Sequence, residues 1–185
     1  MMKRKIRKSG LKAACRNLNI NINMSNSNIK KEEIHTDLIC VALDQSRLCP
    51  VSPNAFSVGC VITHCNQIIS KGYSRELEGN THAEANAINK MDDKSILPSC
   101  DLYTTLEPCS VRTSGLQPCC DVIINNNIKT VYIGVNEPPD FVKCEGVDKL
   151  KQADIKVIFL NGDVYHQRTG RSLAQDCLDA ARRST

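Results

Sequence analysis

Apolar positions recur along this chain with two different periods. In EEIHTDLICVALDQSRL, residues 32–48, Ile34, Leu38, Val41 and Ala42 fall at helical spacing. Leu48 lies beyond the end of that pattern, and SPN at 52–54 breaks it. FSVGCVITH and QIISKGYS, residues 56–64 and 67–74, read as two strands, and the Cys65–Asn66 pair between them makes a tight hairpin turn. Helices and strands then alternate. THAEANAINKM (81–91) is a helix, DLYTTLE (101–107) a strand, PCCDVIINNN (118–127) a helix and IKTVYIGV (128–135) a strand. EGVDKLKQAD (145–154) is a third helix, IKVIFL (155–160) a last strand, and RSLAQDCLDAARR (171–183) a closing amphipathic helix. A hairpin followed by such alternation implies a layered α/β sheet whose later strands run parallel.

Charge divides the chain. Residues 1–31 carry nine Lys or Arg and no acid, whereas the remainder is net −5, so the overall +4 belongs to the start of the chain. That stretch shows no sustained apolar face and reads as a disordered, basic, Asn/Ser-rich tail, leaving 32–185 as one folded domain. Its KRKIRK cluster is compatible with nuclear import, nucleic-acid contact or organelle targeting. No apolar run approaches the roughly 20 residues that span a bilayer, and the first residues lack the apolar core of a secretory signal. The expectation is a cytoplasmic or nuclear protein with no membrane partner. In such a reducing setting the eleven cysteines serve as core residues, nucleophiles or metal ligands.

Two stretches hold the candidate chemistry. Thr81 and Glu84 have capping-box spacing, which alone would explain the glutamate. His82 and Glu84 would point apart in mid-helix, yet at a helix start both reach a pocket across its end. LEPCSVRTSGLQPCC, residues 106–120, adds Cys109 and Cys119, each after a proline, the second opening a helix. A His/Cys/Cys set leaves zinc one open position for water, whose pKa falls to about 7, and a helix N-terminus favours a thiolate. Cys120 is the alternative third ligand, since consecutive residues at a helix start face different ways. His-x-Glu followed by Pro-Cys and a second cysteine is the signature of zinc deaminases, in which the glutamate shuttles protons and is not a ligand. The separation of Cys109 from Cys119 departs from the common form, in which two residues lie between the cysteines. Arg112, inside that long interval, offers a forked donor set to a phosphate. Cys40, Cys60 and Cys100 read as small buried apolar residues.

With SPNAFSVGCVI at 52–62, THAEANA at 81–87 and IKTVYIGVNEPP at 128–139, this pattern resembles the pyrimidine deaminases of riboflavin biosynthesis, above all their stand-alone fungal branch. The resemblance covers roughly residues 34–160. It implies a three-layer α/β/α cytidine-deaminase-like fold with a mixed five-stranded sheet, a zinc ion on His82, Cys109 and Cys119, Glu84 as catalytic acid/base, and an Asn54 that contacts substrate. It also implies a small pyrimidine phosphate as partner: 2,5-diamino-6-ribitylamino-4(3H)-pyrimidinone 5′-phosphate or its ribosyl analogue, which loses the ring 2-amino group. A homodimer is the expected assembly, and a reductase would be a separate protein.

Two other readings stay open. A tRNA or other nucleic-acid deaminase would share the same four residues but would want a basic face and a short cysteine interval; the loop at 110–117 discriminates by walling off a small pocket or leaving a groove. A non-catalytic, zinc-stabilised subunit would dispense with Glu84.

Overall fold

The computed structural model describes residues 24–112, 115–138, 144–160 and 170–183, with side chains from residue 33 onward. Helix α1 runs Met24–Ser46 and leads through an irregular stretch into the hairpin β1 (Gly59–His64) and β2 (Gln67–Tyr73). Then come α2 (Ala83–Asn89), a single 3₁₀ turn at Leu97–Ser99, β3 (Asp101–Leu106), α3 (Cys119–Asn125) and β4 (Thr130–Val135). The chain closes with α4 (Gly146–Gln152), β5 (Lys156–Phe159) and α5 (Leu173–Ala181). The sheet order is β2-β1-β3-β4-β5. Strand β1 is antiparallel to both β2 and β3, whereas β3, β4 and β5 are mutually parallel. This is the mixed five-stranded sheet that the resemblance implied, with the later strands parallel as the alternating pattern predicted.

Strand faces explain the layers. On β1, β3 and β4, Ile62, Leu102 and Ile133 point to a core shared with Ile88, Ile123 and Leu150 of α2, α3 and α4. Their neighbours Val61, Tyr103 and Tyr132 point the other way, to Leu38, Ile39 and Leu43 of α1 and Leu173 of α5. Side chains alternate across a strand, so a strand covered on both faces must be apolar almost throughout. The hairpin turns where expected, with Cys65 and Asn66 both left-handed (φ 51° and 61°), the geometry that matches strand twist.

Three details differ from the sequence reading. Helix α1 begins at Met24, so the boundary at residue 32 falls inside a helix, and residues 1–23 with the KRKIRK cluster lie outside the described residues. Once a helix is nucleated each further residue adds a hydrogen bond without a new nucleus, so a polar stretch can extend it. The first strand starts at Gly59 rather than Phe56, because 50–58 runs instead along the wall of a cavity. Cys60 and Cys100 are fully buried, but Cys40 is only half-buried against the α1 core. The stretch 161–169 lies outside the described residues. Among the described residues no helix is long and apolar enough to cross a membrane.

Two glycines set how closely helices approach the sheet. A Cβ on Gly72 of β2 would lie 2.3 Å from the Ala83 carbonyl oxygen and 2.6 Å from the Ala87 nitrogen. A Cβ on Gly146 would lie 1.9 Å from the Pro108 carbonyl oxygen. In both cases the obstacle is backbone, which cannot rotate away. Replacing Gly72 by Ala is therefore expected to destabilise the fold by about 2–3 kcal/mol, read from urea unfolding.

Candidate metal centre

The C-terminal ends of β3 and β4 and the starts of α2 and α3 meet at one end of the sheet, the usual place for a ligand crevice when strands run parallel. Pro108 and Cys109 follow directly on β3. Cys109 is tied to α3 by two bonds: the Cys119 N–H donates to Cys109 Sγ at 3.3 Å, and the Cys120 N–H to the Cys109 carbonyl at 3.2 Å. The first N–H of α3 thus serves the sulfur of Cys109, not that of the cysteine it belongs to.

His82 is the N-cap of α2, with extended backbone (φ −104°, ψ 153°). Its ring reaches across the helix end, placing Nδ1 3.3 Å from Cys119 Sγ and 3.5 Å from Cys109 Sγ. One ligand atom from each of the three residues lies within 4.8 Å of the other two. About 3.5 Å between nitrogen and sulfur is what tetrahedral angles and zinc bond lengths give, so the donor set and its spacing fit zinc. Cys120, the alternative ligand, turns away and donates to the carbonyls of Pro108 and Gly146.

The two facing sulfurs share protons unequally. Donation from the Cys119 thiol, with help from His82, holds Cys109 well below the ordinary thiol value; that shared bond and complete burial push Cys119 far above it. A divalent cation would relieve this frustration, because it favours both thiolates.

Glu84, only 3% exposed, lies in the first turn of α2. Thr81 does not cap this helix: its hydroxyl accepts from the Leu77 N–H and the Asn86 amide instead, so the capping-box reading of Glu84 fails. The carboxylate accepts from the Thr104 hydroxyl at 2.9 Å. Burial raises its pKa and the neighbouring His82 pulls it down.

His82, Glu84 and Cys109 open on a cavity of about 330 Å³, lined among others by Asn54, Phe56, Ser74, Arg75, Glu107 and Glu137. Asn54 stands on an exposed turn with its N–H on the Ser52 hydroxyl. Arg112 lines the rim and donates to the Asn80 carbonyl, so the long loop is strapped to the segment before His82. Thr104, Glu107 and Glu137 were not singled out from sequence. The Glu107 carboxylate accepts from the N–H groups of Val147 (2.9 Å) and Glu137 (3.4 Å), pinning the chain after β4 and the start of α4. Burial lifts Glu137 to about 7, and one of its oxygens is buried without a partner among the described residues. The signal for both was present: each precedes a proline just past the end of a buried strand, in LEPC and NEPP.

Residues 32–135, more than half of the chain, match the model of the cytidine and deoxycytidylate deaminase zinc-binding region. A diaminohydroxyphosphoribosylamino-pyrimidine deaminase of Schizosaccharomyces pombe is 45% identical over 133 residues, which are 70% of this chain and 33% of that protein. A protein of the same name from Buchnera aphidicola is 39% identical over 106 residues, 57% of this chain and 69% of its own. The chain thus spans about a third of the first of these relatives and about two thirds of the second. Among solved structures, Aspergillus oryzae Rib2 deaminase in complex with DARIPP superposes with a TM-score of 0.65 at 26% identity, covering 82% of this chain and 91% of that one.

The bond from Thr104 to the buried carboxylate has a measurable weight. Thr104→Val keeps the shape but removes the hydroxyl donor from Glu84, and is expected to cost about 1–3 kcal/mol in urea unfolding.

Proposed function

The chain belongs to the cytidine and deoxycytidylate deaminase zinc-binding family, and we propose that it hydrolytically removes the ring 2-amino group of 2,5-diamino-6-ribitylamino-4(3H)-pyrimidinone 5′-phosphate, or of the ribosyl analogue, as ammonia. The observation that carries this reading is Glu84, a buried carboxylate that opens on the same cavity as His82 and Cys109. A zinc ion held by His82, Cys109 and Cys119 would keep one position for water and lower its pKa to about 7.

Glu84 supplies the proton traffic. Burial raises its pKa above the ordinary carboxylate value, which makes it a stronger base than an exposed glutamate. It takes a proton from the attacking water and delivers it to the ring nitrogen beside the amine-bearing carbon. A second transfer, to the amine, lets ammonia leave as the new carbonyl forms. The Thr104 hydroxyl fixes one oxygen of Glu84, which holds the carboxylate in place at the cavity wall.

Substrate size follows from the loops. Val111 and Arg112 of the long loop and Asn54, Ala55 and Phe56 of the segment before β1 line a cavity of about 330 Å³, a volume that suits a single nucleotide-sized ligand. This favours a small pyrimidine over nucleic acid, in keeping with the net −5 of residues 32–185. Arg112 at the rim is the candidate for the phosphate, and Asn54 for a polar edge of the ring.

Three outcomes follow. Glu84→Gln is expected to retain stoichiometric zinc while ammonia release falls by about 10²- to 10⁴-fold; normal turnover would return Glu84 to a structural role. Metal analysis should find zinc lost from Cys119→Ala and kept in Cys120→Ala. Arg112→Ala should raise KM for the phosphorylated substrate roughly tenfold while leaving the dephosphorylated compound unaffected.

A further inference from the structure

One wall of the cavity has no ladder to hold it. Residues 50–57, between α1 and β1, contain two prolines and form neither helix nor strand, yet they carry Asn54, Ala55 and Phe56 to the cavity. The flanks are anchored by the end of α5: Arg183 donates to the carbonyls of Arg47 (3.0 Å) and Cys49 (2.7 Å), and the Ser57 N–H to that of Ala181 (2.9 Å).

The two ends of the segment are tied to each other by Arg75. Its Nε and one Nη2 proton go to the Pro50 carbonyl at 3.0 and 2.7 Å, Nη1 goes to the Phe56 carbonyl at 2.8 Å, and Nη2 also reaches the Ser57 hydroxyl at 2.9 Å. Four of the five guanidinium N–H groups are thereby engaged, all on neutral oxygens of this one segment. The backbone of Arg75 is left-handed (φ 61°), a conformation that an L-residue adopts only where its surroundings impose it, and its N–H donates to the Thr81 carbonyl at 2.7 Å. A single residue therefore links the 50–57 wall to the segment that delivers His82.

We propose that Arg75 is a positioning residue for substrate binding: its guanidinium fork sets the 50–57 segment, and through it Asn54 and Phe56, at the distance from the metal centre that the pyrimidine requires. Charge alone does not suffice. An ammonium is a point donor on a flexible stem and cannot hold Pro50, Phe56 and Ser57 at fixed mutual angles. The inference rests on the proposed deamination for its kinetic consequence but not for its structural one.

The test uses the full zinc-loaded chain, the ribitylamino-pyrimidine phosphate, and the variants Arg75→Ala and Arg75→Lys. Both variants are expected to keep parental zinc content and a kcat within about twofold, with KM raised about tenfold. Amide exchange should quicken across 50–57 and remain parental in the sheet. Guanidinium ion, added below denaturing concentration, should lower KM of the alanine variant toward the parental value. A parental KM with parental exchange at 50–57 in Arg75→Ala overturns the proposal. So does full recovery by Arg75→Lys, or zinc loss with faster exchange throughout both variants. If the parent itself releases no ammonia, the deamination reading fails and the exchange of 50–57 alone decides whether Arg75 sets the wall.

Discussion

Two sulfurs and an imidazole nitrogen within 4.8 Å of one another are an unstable arrangement unless the chain compels it. Each thiol must be buried, one of them is driven toward the thiolate, and the other is denied ionisation by its neighbour. The rest of the fold can be read as what makes that proximity obligatory. Strand β3 brings Cys109 to its end, α3 starts on the sulfur of that residue, and α2 starts beside both. Glycines at 72 and 146 let backbone approach backbone where any side chain would hold the elements apart. The binding free energy of the metal then adds to folding free energy, because the ligand set does not exist in the unfolded chain.

Around this centre the cavity carries both signs of charge. Glu84, Glu107 and Glu137 line it together with two arginines, Arg112 of the long loop and Arg75, which also holds the 50–57 wall. The three carboxylates are not equivalent. Glu107 is spent on backbone N–H groups and acts as a structural pin. Glu84 is held at one oxygen by Thr104, and Glu137, pushed to about 7 by burial, keeps an oxygen without a partner among the described residues. Environment rather than residue type thus separates a structural pin from a carboxylate left open to the cavity, since burial and donors act on the charged form in opposite directions.

Local signals were strong wherever one element owned the pattern. Alternating burial on β1, β3 and β4, the left-handed pair at Cys65–Asn66, and the apolar stripes of α1 and α5 all follow from spacing within a few residues. The His-x-Glu and Pro-Cys pairs were legible for the same reason. The start of α1 was not, because a polar extension costs little once a helix exists and leaves no apolar trace. Thr81 and Glu84 misled as a capping box, because the spacing fits equally well when Thr81 sits one residue outside the helix and turns to Leu77 and Asn86.

The sequence by itself determined the order and type of elements, the residue types able to hold zinc, and a family resemblance that the comparison with known deaminases then established. Tertiary structure decided what spacing cannot encode. It selected Cys119 over Cys120 by turning the latter to the carbonyls of Pro108 and Gly146. It joined Thr104 to Glu84 across 20 residues, and Arg75 to Pro50 across 25. Such pairs depend on the direction of a side chain at one end of a packed sheet, and that direction is fixed only when both faces of the sheet are covered.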